Sequence, residues 1–214
     1  MAIVTNTFTK YSAVGLREDL SNIIYSISPQ TTPFVSNMTK KRNVTNTFFE
    51  WQTDSLASAA ANAQIDGDDL GSFTAVTATS RLGNYTQIMR KDFIIADNLS
   101  GTLDLAGRNN EISYQLAKKG NELKRDVELN LTGLNLAAVA GNNTTARKTA
   151  SLSAFLRTNT SRGSSGADPT VSSGVVNAAA TDGTQRAITE TLLKTVLQSV
   201  WTEGGEPKMV LCGA

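Results

Sequence analysis

The chain has 214 residues, of which 40% are hydrophobic, 6% aromatic and 18% charged, and its twenty basic and nineteen acidic side chains leave a formal net charge of +1. That leaves room for one domain with extended attachments and excludes a dedicated nucleic-acid binder, which needs a basic excess. The absence of histidine and a single cysteine, Cys212, also exclude the usual general base, the commonest neutral metal ligand, an intrachain disulfide and a thiolate zinc site.

The N-terminus, MAIVTNTFTKYS, lacks a basic segment backed by an apolar one, and residues 1–14 read as a polar, Thr-rich arm. No run of about 18 apolar residues is present to cross a bilayer, so the chain reads as made and folded in a cytoplasm, with no membrane partner. From there Leu16, Leu20, Ile23, Ile24 and Ile27 follow helical spacing. Pro29 ends any such helix, and Pro33 keeps the next segment extended.

Residues 44–53 (VTNTFFEWQT) and 84–96 (NYTQIMRKDFIIA) are rich in β-branched and aromatic types, as strands are. Between them lies LASAAANAQIDGDDLGSFTAVTATS, too long and too small in side chain for a tight hairpin. The pair therefore reads as an extended two-stranded loop reaching away from the body. Residues 45–80 carry five acids (Glu50, Asp54, Asp66, Asp68, Asp69) and no base, whereas residues 1–44 carry five bases and two acids. Opposed segment charges suit contact between neighbouring copies.

The clearest helix runs from about Asn109 to Ala140, with residues 109–138 expected as one continuous helix. Ile112, Leu116, Leu123, Val127, Leu131 and Leu134 form one apolar stripe. The opposite face mixes Lys118, Lys119, Glu122, Lys124, Arg125, Asp126 and Glu128, with Glu122 and Arg125 spaced to pair. At ~1.5 Å per residue such a helix would span roughly 40 Å and act as a spine. Gly120 interrupts the stripe, which points to a close backbone contact there. Beyond Gly141 come a short helix at 151–158, a long Gly/Ser/Ala-rich loop, a helix from Thr189 to Trp201, and KMVLC, which reads as a buried strand.

Little in this pattern supports catalysis. Asp66, Asp68 and Asp69 lack the ligand alternation and distal Glu of a calcium loop. Cys212 has no histidine to activate it, and Ser164–Ser165 lacks a nucleophile-elbow context. No phosphate-cradling or dinucleotide glycine motif is present, so the reading is a non-enzyme with no cofactor and no metal site.

Five segments in order, GLREDLSNIIYSISPQTTPF (15–34), FEWQTDSL (49–56), RLGNYTQIMRK (81–91), EISYQLAKKGNELKRDVE (111–128) and WTEGGEPKMVL (201–211), resemble the tailed-bacteriophage major capsid (head) proteins with the Hong Kong coliphage-type fold. The resemblance implies an α+β capsid fold. Its parts would be an N-terminal arm at 1–44, an E-loop at 45–97, a peripheral domain with the spine helix at 98–185 and the start of an axial domain at 186–214. Family members continue through the rest of the axial domain, so the resemblance also implies that a C-terminal part is missing from this chain.

On that reading copies self-assemble into hexamers and pentamers of an icosahedral or prolate head enclosing double-stranded DNA, in the virion, after assembly in the bacterial host cytoplasm. Scaffolding, portal and decoration proteins would be further partners, and DNA would be touched only weakly and without sequence preference. Trp51 and Tyr85 are the expected apolar anchors between subunits. Arg42, Arg81 and Arg90 would meet acids such as Asp54 of a neighbour. An encapsulin-like compartment shell, or a virion decoration or adhesion module, stays open as an alternative.

Overall fold

The computed structural model describes residues 31–39, 43–69, 71–97 and 110–211, together with 7, 11, 13–14, 23–26 and 99. Among the described residues it is a mixed α+β chain with a four-stranded sheet and three α-helices. Two compact units divide it, one of residues 1–30 and 91–122, the other of residues 31–90 and 123–214.

In the first unit the main described element is the N-terminal part of the long helix. The helix expected over 16–27 lies mostly outside the described residues, and its residues 23–26 are not helical.

The second unit opens with α1 (Pro33–Asn37). Pro33 does not keep this segment extended. It occupies the first turn, where its missing N–H is one of the donors a helix leaves unmatched anyway. Thr32 makes no side-chain cap; Glu128 supplies one from far along the chain, accepting the N–H of Phe34 and of Val35, each at 2.8 Å. A carboxylate at a helix N-terminus satisfies two orphan donors and faces the positive end of the dipole.

Strands β1 (Phe48–Thr53) and β2 (Ser80–Tyr85) pair antiparallel from Phe48↔Tyr85 to Thr53↔Ser80. The second strand thus ends at Tyr85 rather than running over 84–96. Gly83 sits under the Phe48 ring, where an added Cβ would come within 2.3 Å of it. The strands β3 (Thr170–Ser172) and β4 (Val175–Ala178) form a hairpin inside the region read from sequence as loop. Its two-residue turn, Ser173–Gly174, has positive φ at both positions (50° and 80°), the geometry whose twist suits flanking strands. β4 joins β2 in parallel through Gly83↔Val175, giving the order β1-β2-β4-β3.

The long helix, α2 (Glu111–Glu128), continues as a π-helical turn over Leu129–Gly133 and then becomes extended at Leu134. It is unbroken at Gly120, as the stripe required, but it stops short of residue 138. The α-helical part measures ~27 Å at 1.5 Å per residue. The π turn leaves carbonyls without their usual α-helical partners, and side chains fill in: Asn130 Nδ2 donates to Asp126 O at 2.7 Å and Thr132 Oγ1 to Glu128 O at 2.8 Å. Among the described residues nothing lies within 4 Å of a Cβ built on Gly120, so the close backbone contact expected there is not made among them. Lys119, at 2.7 Å, is the partner that Glu122 takes.

Residues 134–151 return antiparallel on themselves through the bridge Val139↔Lys148, turning at Asn142, whose Oδ1 accepts from Thr144 and Thr145 N–H. This segment is tied to β2 by side chains. The Asn84 carboxamide accepts from Ala150 N–H at 2.9 Å and donates to Ala150 O at 3.3 Å, while Thr149 Oγ1 donates to Tyr85 O at 2.7 Å. Ala150, Ala154 of the 3₁₀ turn Leu152–Phe155, and Val176 form the buried cluster, with Ala138, Phe155 and Val171 packed against it. Helix α3 (Glu190–Thr202) is capped by Thr189, whose hydroxyl accepts from Leu192 N–H. Residues 208–211, expected as a buried strand, form none and are exposed; Cys212 lies outside the described residues.

Candidate functional site

The site candidate is the excursion carried by the β1–β2 ladder. Its root is aromatic. Phe48 and Tyr85 stack across the ladder with centroids 4.8 Å apart, and on β1 the Trp51 ring lies 5.9 Å from Phe49 and 5.4 Å from Phe155. Glu50 and Arg81, diagonal neighbours across the ladder, form an ion pair. The ladder closes a loop whose described residues between Asp54 and Thr79 have no regular structure and are exposed. Its local bonds are few: Asp54 Oδ1 accepts from Ser55 N–H, and Asp68 N–H donates to Ile65 O across a turn at Gly67.

Leu56, Ile65, Phe73 and Val76 stand on this excursion at 98, 82, 88 and 96% exposure. Single exposed apolar residues are ordinary, but four on one unstructured loop form a surface without a described cover. The buried apolar residues of the described chain are Ala150, Ala154, Val176 and Ala180. At ~25 cal/mol per Å² of apolar area, so small a set contributes little to stability. The described residues bury little of their apolar surface.

The anticipated contact residues fall into three groups. Trp51 and Tyr85 are at the root, each stacked on rings of its own chain and each still partly exposed. Asp54 opens the loop, and Arg81 is paired with Glu50 in the same subunit. Arg90 is exposed beyond β2, and Arg42 lies outside the described residues. Sequence reasoning missed Phe155 as the platform for Trp51. It also passed over the loop's four apolar residues, whose only signal was their isolation in an Ala/Gly/Asp-rich run.

Among the described residues two carboxyls have shifted ionisation. Glu122 is held below its ordinary value, first by the hydrogen bond from Lys119 and further by the charges of Lys119, Lys118 and Lys91. Asp168 is lowered by hydrogen bonds from Arg162 (2.6 Å) and Thr160 (2.8 Å). Both are surface ion pairs. Among the described residues no group of three or more His, Cys, Asp or Glu is placed to hold a metal, and no helix is long and apolar enough to cross a membrane.

A small alanine-rich core, a long helix with Ile112 and Leu116 exposed, and an excursion with exposed apolar side chains characterise the described residues. The family model described as SU10 major capsid protein matches residues 3–214, and the chain belongs to that family. It is 42% identical over 124 residues to the major capsid protein of Escherichia phage Phieco32. That match covers 56% of this chain and 34% of the relative, so the chain spans about a third of the length of the curated protein it matches.

Proposed function

We propose that the protein is a structural subunit of a phage head, in which copies tile into a closed icosahedral or prolate shell around double-stranded DNA. In this reading α2 is the spine, residues 45–97 are the E-loop, residues 1–44 the arm, 98–185 the peripheral domain and 186–214 the start of an axial domain. The single observation that carries it is the excursion on the β1–β2 ladder, with Leu56, Ile65, Phe73 and Val76 each at least 82% exposed. Such a surface is unfavourable in water, and the free energy falls when a neighbouring copy covers it.

Trp51 and Tyr85 would anchor the root against the neighbour, and the acids from Asp54 onward would meet bases of other copies, with Arg42, Arg81 and Arg90 as candidates. Scaffolding, portal and decoration proteins would join the shell, and assembly would take place in the host cytoplasm. DNA would be retained by enclosure, because a chain of net charge +1 has few bases to spare for phosphates. Electron microscopy of the expressed full-length protein tests the proposal: closed particles are expected, and persistently monomeric, compact protein would overturn it. A gel shift of unassembled subunits at physiological salt should show no site-specific complex tighter than about 10⁻⁷ M.

A further inference from the structure

The chain holds two Asp–Gly pairs, Asp66–Gly67 in the excursion and Asp182–Gly183 ahead of α3. In such a pair the side-chain carboxyl carbon stands within a short rotation of the next residue's amide nitrogen. Glycine has no Cβ to shield that nitrogen or to restrict the backbone around it. Both aspartates are exposed, so access to water does not separate the two pairs. Restraint does. Asp66 and Gly67 are the central residues of a turn that Asp68 N–H closes on Ile65 O at 3.1 Å. Gly67 has φ +79°, and among the described residues nothing lies within 4 Å of a Cβ built on it. Among those residues neither the Asp66 carboxylate nor the Gly67 N–H makes a hydrogen bond. Asp182, by contrast, is held from several sides. Its Oδ1 accepts from Asn135 Nδ2 at 2.8 Å, Thr181 before it is bridged to Ala167, and Thr184 N–H donates to Ser164 O at 2.8 Å. Gly183 lies against the Gly163 backbone, whose carbonyl oxygen a Cβ there would strike.

We propose that Asp66 is a site of spontaneous backbone modification, passing through a succinimide to an isoaspartyl linkage, and that the fold bars Asp182 from the same reaction. With the Asp66 carboxyl protonated, the Gly67 nitrogen attacks Cγ. The N–Cγ bond forms, the bond from Cγ to the hydroxyl oxygen breaks, and the hydroxyl leaves with the amide proton as water. A second water then opens the five-membered ring. Cleavage between nitrogen and Cγ restores aspartate, whereas cleavage between nitrogen and the main-chain carbonyl carbon routes the chain through the side chain. One water leaves and one returns, so the reaction needs no oxidant, metal or cofactor. The product adds a methylene to the main chain between Ile65 and Gly67 and leaves a carboxylate directly on Cα. The ring that Asp68 N–H closes on Ile65 O then gains an atom, and that turn opens. Asp182 cannot follow, because the ring demands a backbone rotation that the contacts of Thr181, Gly183 and Thr184 oppose. This chemistry needs only the isolated chain and is independent of any shell. It gives the excursion a clock, since ageing protein carries a growing fraction with an opened turn.

The test incubates the purified full chain in mildly acidic buffer and maps isoaspartate on digested peptides by enzymatic methyl transfer, localised by fragmentation in the mass spectrometer. Label should accumulate with time at Asp66 and stay at background at Asp182. A fraction of the intact chain should be lighter by one water, and exchange at the Asp68 amide should quicken as label accumulates. Asp66→Glu, which would have to close a six-membered ring, should lose the label. In denaturing urea, where nothing restrains Asp182, both sites should be labelled at comparable rates. No label at Asp66, or equal label at the two sites in the folded chain, would overturn the proposal. So would a preference for Asp66 that persists undiminished in urea, because sequence neighbours rather than the fold would then select the site.

Discussion

Asn84 gives the sharpest test of how this fold is held together. It is 5% exposed, and its carboxamide satisfies both backbone groups of Ala150, itself 2% exposed, in place of a strand partner. Its Oδ1 also accepts from Tyr85 N–H at 2.9 Å. Asn84→Ala removes all of these at once. Leaving a buried donor or acceptor without a partner costs about 1–3 kcal/mol, and the 3.3 Å bond is the weaker of the Ala150 pair, so the expected loss is about 2–4 kcal/mol. Asn84→Asp keeps an acceptor for Ala150 N–H but sets a carboxylate against Ala150 O, and it should be at least as damaging. The assay is urea unfolding of unassembled subunits combined with hydrogen exchange at the Ala150 amide. That amide should lose its protection while the amides of α3 keep theirs. A change under about 0.5 kcal/mol in both variants, the size of an ordinary surface substitution, would refute side-chain pairing as the tie between these segments.

Glu128→Ala should free α1 from its remote cap at a cost of about 0.5–2 kcal/mol, read as faster exchange at the Phe34 and Val35 amides, with Glu128→Gln losing less. Trp51→Ala should lose about 0.5–1.5 kcal/mol of ring stacking with Phe155 in the subunit and should reduce particle yield by more than that change in stability explains, which centrifugation of assembly reactions would reveal. Gly174→Ala combines a φ of +80° with a Cβ that would come within 2.6 Å of Arg81 O, so it should destabilise the subunit by about 1–3 kcal/mol in thermal unfolding. The Asp168 carboxyl is depressed in the folded chain, so its contribution is complete above the ordinary aspartate range and is lost only as pH falls through the lower folded value. Asp168→Asn should abolish that acid-side loosening of residues 160–168 in an NMR titration.

Much of this was legible in the sequence where periodicity was strong. The stripe from Ile112 placed α2, and the aromatic run placed β1. What the stripe concealed was where the helix ends. Apolar spacing continues to Leu134, but Asn130 and Thr132 compete for helix carbonyls with their side chains and Gly133 follows, so the backbone leaves α geometry after Glu128. The β3–β4 hairpin was hidden because strands of three and four residues are too short to show alternation, and its turn uses Ser173 at positive φ where Asn or Asp is the commoner signal. Pro33 misled because proline marks a helix start as readily as a break, and its cap, Glu128, sits 94 residues away from Phe34. Of the candidate surface, the charge segregation and the root aromatics could be read directly. The meeting of residues 153–162 with α3 could not, because no local pattern encodes it.

The β1–β2 ladder also bears on how such a protein diversifies. Its six registered pairs, from Phe48↔Tyr85 to Thr53↔Ser80, fix where the excursion leaves and re-enters the sheet, whatever lies between. Doubling the length of a flexible loop adds only about 0.6 kcal/mol of closure cost. Insertions and deletions between Asp54 and Thr79 are therefore nearly neutral for folding of the subunit, while each one changes how far a copy reaches. On the shell reading, selection on that reach could proceed almost independently of selection on the sheet, and subunit spacing could change while the scaffold is inherited unaltered.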